Sequence, residues 1–142
     1  MKDINELPKH NNASSGKKAH NDNKFYKVGK IRYQNWAVKI LKATDIVVFE
    51  SELVHISKHH PEISRLGLTV FDFIKYVVKN FNRIYKGTKN SYILAVWHEH
   101  SAFSAAIELF VNENKEIYRI NTAHPFDTNT LLKKKLLCAN DH

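Results

Sequence analysis

Residues 69–81, TVFDFIKYVVKNF, decide the fold of this 142-residue chain, because they mark where a helical pattern gives way to a strand pattern. Apolar residues recur in this stretch at i, i+3, i+4, i+7, i+8 and i+11, which is the spacing of a buried helix face. Thr69 and Asp72 are placed as in a capping box, with Asp at the position usually held by Glu or Gln. The stretch predicts an amphipathic helix whose apolar stripe lies in the core.

Downstream of this helix the hydrophobic period changes to two, which is typical of strands. The strand-like segments are RIYKG (83–87), SYILAVW (91–97), AFSAAIELFVN (102–112) and EIYRINTA (116–123). In the longest segment, one face carries Phe103, Ala105, Ile107, Leu109 and Val111, and the other carries Ser104, Ala106, Glu108 and Phe110. NENK (112–115) is a candidate hairpin turn, since Asn is tolerated in turns although Gly is absent.

Upstream of the helix the pattern predicts three shorter elements. FYKVGKIRY (25–33) predicts a strand, and NWAVKILK (35–42) predicts a short helix. The β-branched run in IVVFES (46–51) predicts another strand, with Ser51 as the N-cap of the helix that follows.

That next helix carries the stretch HISKHH (55–60), and the sequence predicts where it stops. Pro61 disfavours helical geometry at the residue before it, so the helix should end near His59. PEISRLG (61–67) predicts one further turn, with Pro61 at its first position and Gly67 as its C-terminal stop.

The sequence predicts helices before residue 82 and an antiparallel meander after it, an order that is typical of an α+β domain. We expect N-terminal helices packed on a four-stranded antiparallel sheet, with one sheet face covered and the other open. FDTNTLLKKKLLC (126–138) predicts a short C-terminal helix that is capped by Asp127 or Thr128, with Leu132 and Leu136 facing inward.

Composition predicts a basic flexible arm over residues 1–24 and one folded domain over residues 25–142. The formal net charge of +8 suits phosphate-rich partners such as nucleic acid. Cys138 is the only cysteine, which excludes an intrachain disulfide framework and fits a reducing compartment such as the cytoplasm. No apolar run approaches the ~20 residues of a membrane span, and the first residues lack the apolar region of a secretory signal.

The HISKHH stretch is the first candidate for chemistry, because His55, Lys58 and His59 fall on one stripe of a helix. Histidine can take and give a proton near neutrality, and a neighbouring lysine can keep it neutral or stabilise a negative phosphorane. The alternative is an ordinary solvated polar face on a surface helix.

Two strand segments carry groups suited to RNA. In YRINTAHP (118–125), Arg119 suits a phosphate contact and Thr122 offers a hydroxyl near a strand end. In RIYKG, Arg83 and Lys86 flank Tyr85, an arrangement that suits base stacking and phosphate binding. Exposed strands with no such role often have the same composition.

WHEHS (97–101) places His98 and His100 on one side of a strand, so that with His124 they could form half a zinc site. No Cys pair or HExxH motif accompanies them. A polar loop between two strands is the preferred interpretation, and the sequence predicts no metal site.

Four segments, taken in chain order, resemble phage- and toxin-associated nucleases of the barnase–EndoU–colicin–RelE-like (BECR) fold. The segments are VVFESELVHISKHHPEISRLG, TVFDFIKYVVKNF, NRIYKG and YRINTA. The resemblance covers roughly residues 46–137. These families show a helix with an HI..KH-type motif, a second helix, and a four-stranded sheet whose last strand ends in Thr-Ala. His55 matches the first motif histidine, Lys58-His59 the KH pair, and Thr122 the closing threonine. The chain departs from the pattern because a further histidine follows Lys58-His59.

The resemblance implies a small endoribonuclease that needs no metal and no cofactor, acting as a toxin or phage-related effector. His55 would be the general base, His59 or His98 the general acid, and Thr122 a hydrogen-bond donor to phosphate. Lys58, Arg83 or Arg119 would stabilise the phosphorane. By analogy the target is cytoplasmic RNA such as tRNA, and an acidic immunity protein is the expected partner. The alternatives are a non-catalytic RNA-binding module and an immunity or structural partner protein.

Overall fold

The computed structural model describes residues 24–31, 37, 41–42, 44–88, 90–98, 100–112 and 117–140. The predicted basic arm up to residue 23, most of the predicted helix at 35–42 and most of the predicted turn at 112–115 lie outside these residues.

Within the described residues, strands alternate with short helices along the chain. The strands are β1 (Phe25–Lys30), β2 (Asp45–Phe49), β3 (Arg83–Lys86), β4 (Ser91–Val96), β5 (Phe103–Asn112), β6 (Ile117–Asp127) and β7 (Leu136–Ala139). The helices are α1 (Glu50–His59), α2 (Glu62–Arg65), α3 (Val70–Asn80) and α4 (Thr128–Leu132). All seven described strands form one sheet in the order β1-β2-β6-β5-β4-β3-β7. Every neighbouring pair is antiparallel except β2 and β6, which are parallel.

The predicted fold class is therefore wrong: this is a mixed α/β sheet of seven described strands with four short helices, not four strands behind N-terminal helices. The four predicted strands do form the centre of the sheet. β1 and β2 extend it at one edge and β7 extends it at the other. Pairing between β2 and β6 joins segments about 70 residues apart, and local periodicity carries no information on such contacts.

The C-terminal segment contains the predicted short helix, but the helix is shorter than predicted and its inward residues differ. α4 contains only residues Thr128–Leu132. Residues 136–139 form β7 and pair with the edge of β3 that is not paired with β4. Leu131 is fully buried, whereas Leu132 is 59% exposed and Leu136 is 43% exposed, so the predicted inward pair is incorrect. The predicted cap is confirmed, because the Asp127 carboxylate accepts a hydrogen bond from the Asn129 N–H.

The helices before the meander agree better with the sequence pattern. α3 buries the predicted stripe, and the Thr69 hydroxyl accepts from the Asp72 N–H at 3.0 Å. α1 ends at His59 as predicted, and α2 supplies the further turn before Gly67. Ser51 is not the cap of α1, because the helix already begins at Glu50 with Phe49 at the N-cap.

The two faces of the sheet carry separate apolar clusters. On the first face, α1, α2 and α3 pack against the strands, with Leu53, Ile56, Ile63 and Ile74 among the buried side chains. Each such side chain stabilises the fold by about 1.5–3 kcal/mol through its removal from water. The second face carries a smaller cluster built from Tyr85, Ile93, Ala95, Ala106, Phe126 and Leu131. The second face is thus covered in part by α4, and only its remainder is open.

The different environments of two adjacent leucines give a direct test of this packing. We expect Leu131→Ala to lower the free energy of unfolding by about 2–5 kcal/mol, because it leaves a cavity in the second cluster. Leu132→Ala should change it by less than about 0.5 kcal/mol, because its side chain is mostly exposed. Urea unfolding of the two variants measures both values. Equal losses, or a larger loss for Leu132→Ala, would contradict the placement of α4.

Candidate functional site

The open part of the second face lies along β6, where strand pairing stops. β2 pairs with β6 only through Ile46–Tyr118 and Val47–Arg119. Beyond Arg119, β6 has no partner strand on this side among the described residues, and α1 and α2 pack along it instead. Groups from these helices can therefore meet groups from β6 at this edge.

A bulge in β6 selects which of its side chains face this region. Glu108 pairs with Thr122 but Leu109 pairs with Ile120, so Asn121 is the extra residue. Because of this insertion, Arg119 and Thr122 lie on the same face although they are three residues apart. His124 and Phe126 lie on that face as well. His124 pairs with Ala106, which belongs to the second cluster, and Phe126 is itself a member of that cluster.

His60, Glu62 and His124 form the central cluster of the site, and all three are partly buried. The imidazoles of His60 and His124 are stacked, with ring centroids 4.1 Å apart and planes tilted by only 7°. His124 stacks equally on Phe126 at 4.1 Å, so its ring is held between two others. The Glu62 carboxylate lies 3.0 Å from Nδ1 of His60.

Hydrogen bonds fix which nitrogen of each ring faces outward. Nδ1 of His124 lies 3.1 Å from the Pro125 carbonyl, and a carbonyl oxygen can only accept, so Nδ1 carries the proton. The same reasoning applies to Nδ1 of His60, which donates to the ionised Glu62. Each ring therefore keeps Nε2 available for proton exchange.

The pKa values of two members of the cluster are shifted. Burial lowers the pKa of His124 below its ordinary value of 6.5, and the charge of His60 lowers it further, against the Pro125 hydrogen bond and the Glu62 and Glu108 carboxylates. For Glu62, burial opposes ionisation, but hydrogen bonds from its own N–H and from His60 outweigh burial and lower the pKa. Near neutral pH, His124 is thus a neutral base beside an ionised carboxylate.

Glu108 lies on the same face of the sheet as the cluster, but its carboxylate is held on the neighbouring strand. It lies directly opposite Thr122 across the β5–β6 pair, and diagonally from His124 at about 7–8 Å. The buried hydroxyl of Ser91 donates to its Oε2 at 2.6 Å and holds it in place. The carboxylate of Glu108 thus points toward β4 and Gly87, while Thr122 has an imidazole two residues along its own strand.

The predicted catalytic residues of α1 lie together on the exposed side of that helix. His55 and His59 are stacked with centroids 4.2 Å apart, and Nδ1 of His59 lies 3.0 Å from the His55 carbonyl. Lys58 is exposed beside them. Glu52 belongs to the same stripe and contacts Arg119, so the stripe borders the β6 side of the molecule.

Arg119 is held at the start of the open region. Its guanidinium lies over the Phe49 ring at 4.1 Å, and its Nη2 is 3.5 Å from the Glu52 carboxylate. The arginine therefore joins α1 to β6 and keeps its remaining N–H groups for another anion.

The other predicted RNA-binding residues lie elsewhere on the second face. Arg83 packs over Trp97 at 4.2 Å, and its Nη1 donates to the Tyr85 hydroxyl at 3.1 Å. Cross-strand pairing places Arg83, Ala95, Ala106 and His124 in one row, which separates Arg83 from His124 by about 14 Å. The structure thus does not bring Arg83 to the histidine pair.

Of the remaining predicted binding residues, Tyr85 is buried, whereas Lys86 and His98 are exposed. Tyr85 is 1% exposed, so its ring has no free face for a base and serves to orient Arg83. Lys86 is exposed at the end of β3. His98 is exposed in the loop between β4 and β5, which confirms the polar loop.

Sequence reasoning missed His60 and Glu62 as members of the cluster that the fold brings together, and it considered His124 only for zinc. His60 is the third histidine of HISKHH, and the turn before α2 directs it away from the stripe of His55 and His59. The predicted end of the helix at His59 is a signal that His60 can point away from His55 and His59, because a residue outside the helix does not follow the helical spacing. Nothing local connects position 60 with position 124.

No family model matches the chain, and no curated protein or solved structure matches it significantly. Among the described helices, none is both long enough and apolar enough to cross a membrane.

The lowered pKa of His124 predicts a pH dependence of stability. A histidine whose pKa is lower in the folded than in the unfolded state makes the unfolded state bind more protons as the pH falls. The free energy of unfolding should therefore decrease as the pH falls through and below the ordinary histidine value of 6.5. His124→Gln should lack this part of the decrease. Urea unfolding between about pH 7.5 and about pH 5.5 measures both slopes.

A second measurement assigns the effect to the stacked pair. In His60→Gln, the pKa of His124 should rise, because a like charge and part of the burial are removed. NMR titration of the His124 ring follows this directly. Identical slopes for the parent and His124→Gln, together with an unchanged His124 titration in His60→Gln, would contradict the site geometry.

Proposed function

We propose that this domain is a metal-independent endoribonuclease that cleaves RNA by attack of the ribose 2′-hydroxyl on the adjacent phosphorus. The observation that carries the proposal is the contact between His60 and His124, each with Nδ1 engaged and Nε2 free. Two such imidazoles beside a hydroxyl can supply the base, the acid and a hydrogen-bond donor that this reaction requires.

In the first half of the reaction, Nε2 of neutral His124 removes the proton from the 2′-hydroxyl. The 2′-oxygen then forms a bond to phosphorus, and negative charge develops on the phosphoryl oxygens. His124 suits the role of base because burial keeps its pKa below the ordinary value.

In the second half, the bond between phosphorus and the 5′-oxygen breaks. Nε2–H of His60 gives its proton to that leaving oxygen, while Nδ1 of the same ring lies 3.0 Å from the Glu62 carboxylate, which holds the ring in place. The products are a 2′,3′-cyclic phosphate and a free 5′-hydroxyl. No metal is required, since the nucleophile already belongs to the substrate.

The groups around the pair bind the phosphates. Thr122 donates its hydroxyl to a phosphoryl oxygen. Arg119 lies on the same face of β6 but about 13 Å from His124, so it supplies charge for a neighbouring phosphate. His55, Lys58 and His59 on the exposed stripe of α1 bind an adjoining phosphate. Arg83 is too far away for the same phosphate and reaches one further along the strand.

The substrate and setting follow from charge and from the family resemblance. The net charge of +8 attracts the RNA backbone, and the reaction itself selects RNA, since DNA lacks the 2′-hydroxyl. A toxin or phage-related effector that acts on cytoplasmic RNA such as tRNA fits both. An RNA-binding module without catalysis is the alternative that the cleavage test separates.

The proposal predicts cleavage of RNA in the presence of a chelator. A mixture of tRNAs should give fragments with 2′,3′-cyclic phosphate ends, and an oligonucleotide with 2′-deoxyribose at the cut position should stay intact. His124→Ala and His60→Ala should each lower the rate roughly 10²–10⁴-fold, the usual contribution of an acid or base. Lys79→Ala is the matched control, because it removes an exposed charge from α3, a helix that packs on the first face.

Three outcomes would count against this assignment. RNA that is bound but stays intact would replace the enzyme with a binding module. Loss of cleavage when the chelator is added would exclude the metal-independent reaction. If His55→Ala lost as much of kcat as His124→Ala, the base would be His55; we expect His55→Ala chiefly to raise KM.

A toxin of this kind also needs a protective partner in the cell that makes it. We expect an acidic immunity protein to cover the basic surface around Arg119 and Lys58 and to co-purify with the domain from the producing cell. High-level expression of the active domain without any partner and without growth arrest would contradict this part of the proposal.

A further inference from the structure

We propose that His60, Glu62 and His124 also form a binding site for Zn²⁺, and that the bound ion switches the nuclease off. The three ligand atoms lie within 4.8 Å of one another, and the three side chains are partly buried. The inhibitory effect rests on the proposed function, whereas the binding of the ion does not.

The donor set suits this ion better than it suits a hard cation. Two imidazoles and one carboxylate are zinc ligands, while Mg²⁺ and Ca²⁺ prefer oxygen donors. Three protein ligands leave zinc a further position for water. The ligands also come from different elements: His60 lies between α1 and α2, Glu62 begins α2, and His124 lies on β6.

The present ring arrangement explains why the ion would be an inhibitor and not a permanent component. The His60 and His124 rings are almost parallel, at 7°, so their in-plane lone pairs run side by side and do not meet at one point. Zinc bonds of about 2.0–2.2 Å require the lone pairs to converge on the metal. At least one ring must turn and leave the stack before the ion can be held.

This rearrangement removes the groups that the cleavage reaction uses. An imidazole nitrogen bonded to zinc has no lone pair for the 2′-hydroxyl proton, and Glu62 exchanges its hydrogen bond with His60 for the metal. Zinc and catalysis are therefore alternatives at one site. The ion also ties the α1–α2 turn to β6, which should make the folded state more stable.

A second histidine pair must be excluded in any binding measurement. His55 and His59 are exposed, stacked and four residues apart on α1, which lets them hold a metal ion by themselves. The double variant His55→Ala/His59→Ala removes this pair and leaves the proposed ligands in place, so it is the background for the test.

The experiment uses Co²⁺ as a spectroscopic probe and Zn²⁺ as its competitor, on metal-free protein. In the double variant we expect one equivalent of Co²⁺ with strong visible absorption, displaced by Zn²⁺. Adding His124→Ala should abolish the absorption, and adding Glu62→Gln, which retains the size of the side chain, should weaken binding at least about tenfold. Far-UV circular dichroism confirms that each variant is folded.

Cleavage is measured separately on the parent protein. Zn²⁺ should abolish it and excess chelator should restore it. Unchanged Co²⁺ absorption after His124→Ala or Glu62→Gln would overturn the metal site, and so would stimulation of cleavage by Zn²⁺. If the metal binds as expected but metal-free protein never cuts RNA, the binding site stands, and both the proposed function and the inhibitory role fall.

Discussion

The packing of α1 and α2 along the unpaired edge of β6 is the constraint on which the site depends. Leu53 and Ile56 before the turn, and Ile63 after it, are all buried in the first cluster. The chain between them has to pass the edge of β6, which places His60 against His124. The start of α1 is fixed as well, because Tyr26 donates to Glu50 at 2.6 Å; burial and this bond raise the pKa of Tyr26 to about 12.

The second face of the sheet is divided by what covers it. Around Tyr85, Ala95 and Leu131 it is closed by α4 and by aromatic side chains, so this part stabilises the fold. Toward β6 it stays open, and the bulge at Asn121 turns both Arg119 and Thr122 to that side. Polar groups concentrate there because the covered part of the face cannot accommodate unpaired charge.

Prediction from sequence succeeded where local physics is sufficient. The stripe of α3, the stop of α1 before Pro61 and the Asp127 cap each depend on residues within one or two turns. It failed for the sheet as a whole, since β2 and β7 take their partners from distant segments. Leu136 illustrates the reason: a free edge on β3 outweighs the helical pattern of residues 126–138.

For the site, the sequence alone determined which chemical groups are available. They are a histidine-rich stretch that ends at a proline, and a late strand with Arg119 and Thr122. Only the tertiary structure decided which of them meet. His60 and His124 lie 64 positions apart, and neither composition nor period links them. Their contact follows from burial of the apolar neighbours on both segments, because the hydrophobic effect fixes the backbones and the polar side chains take the positions that remain.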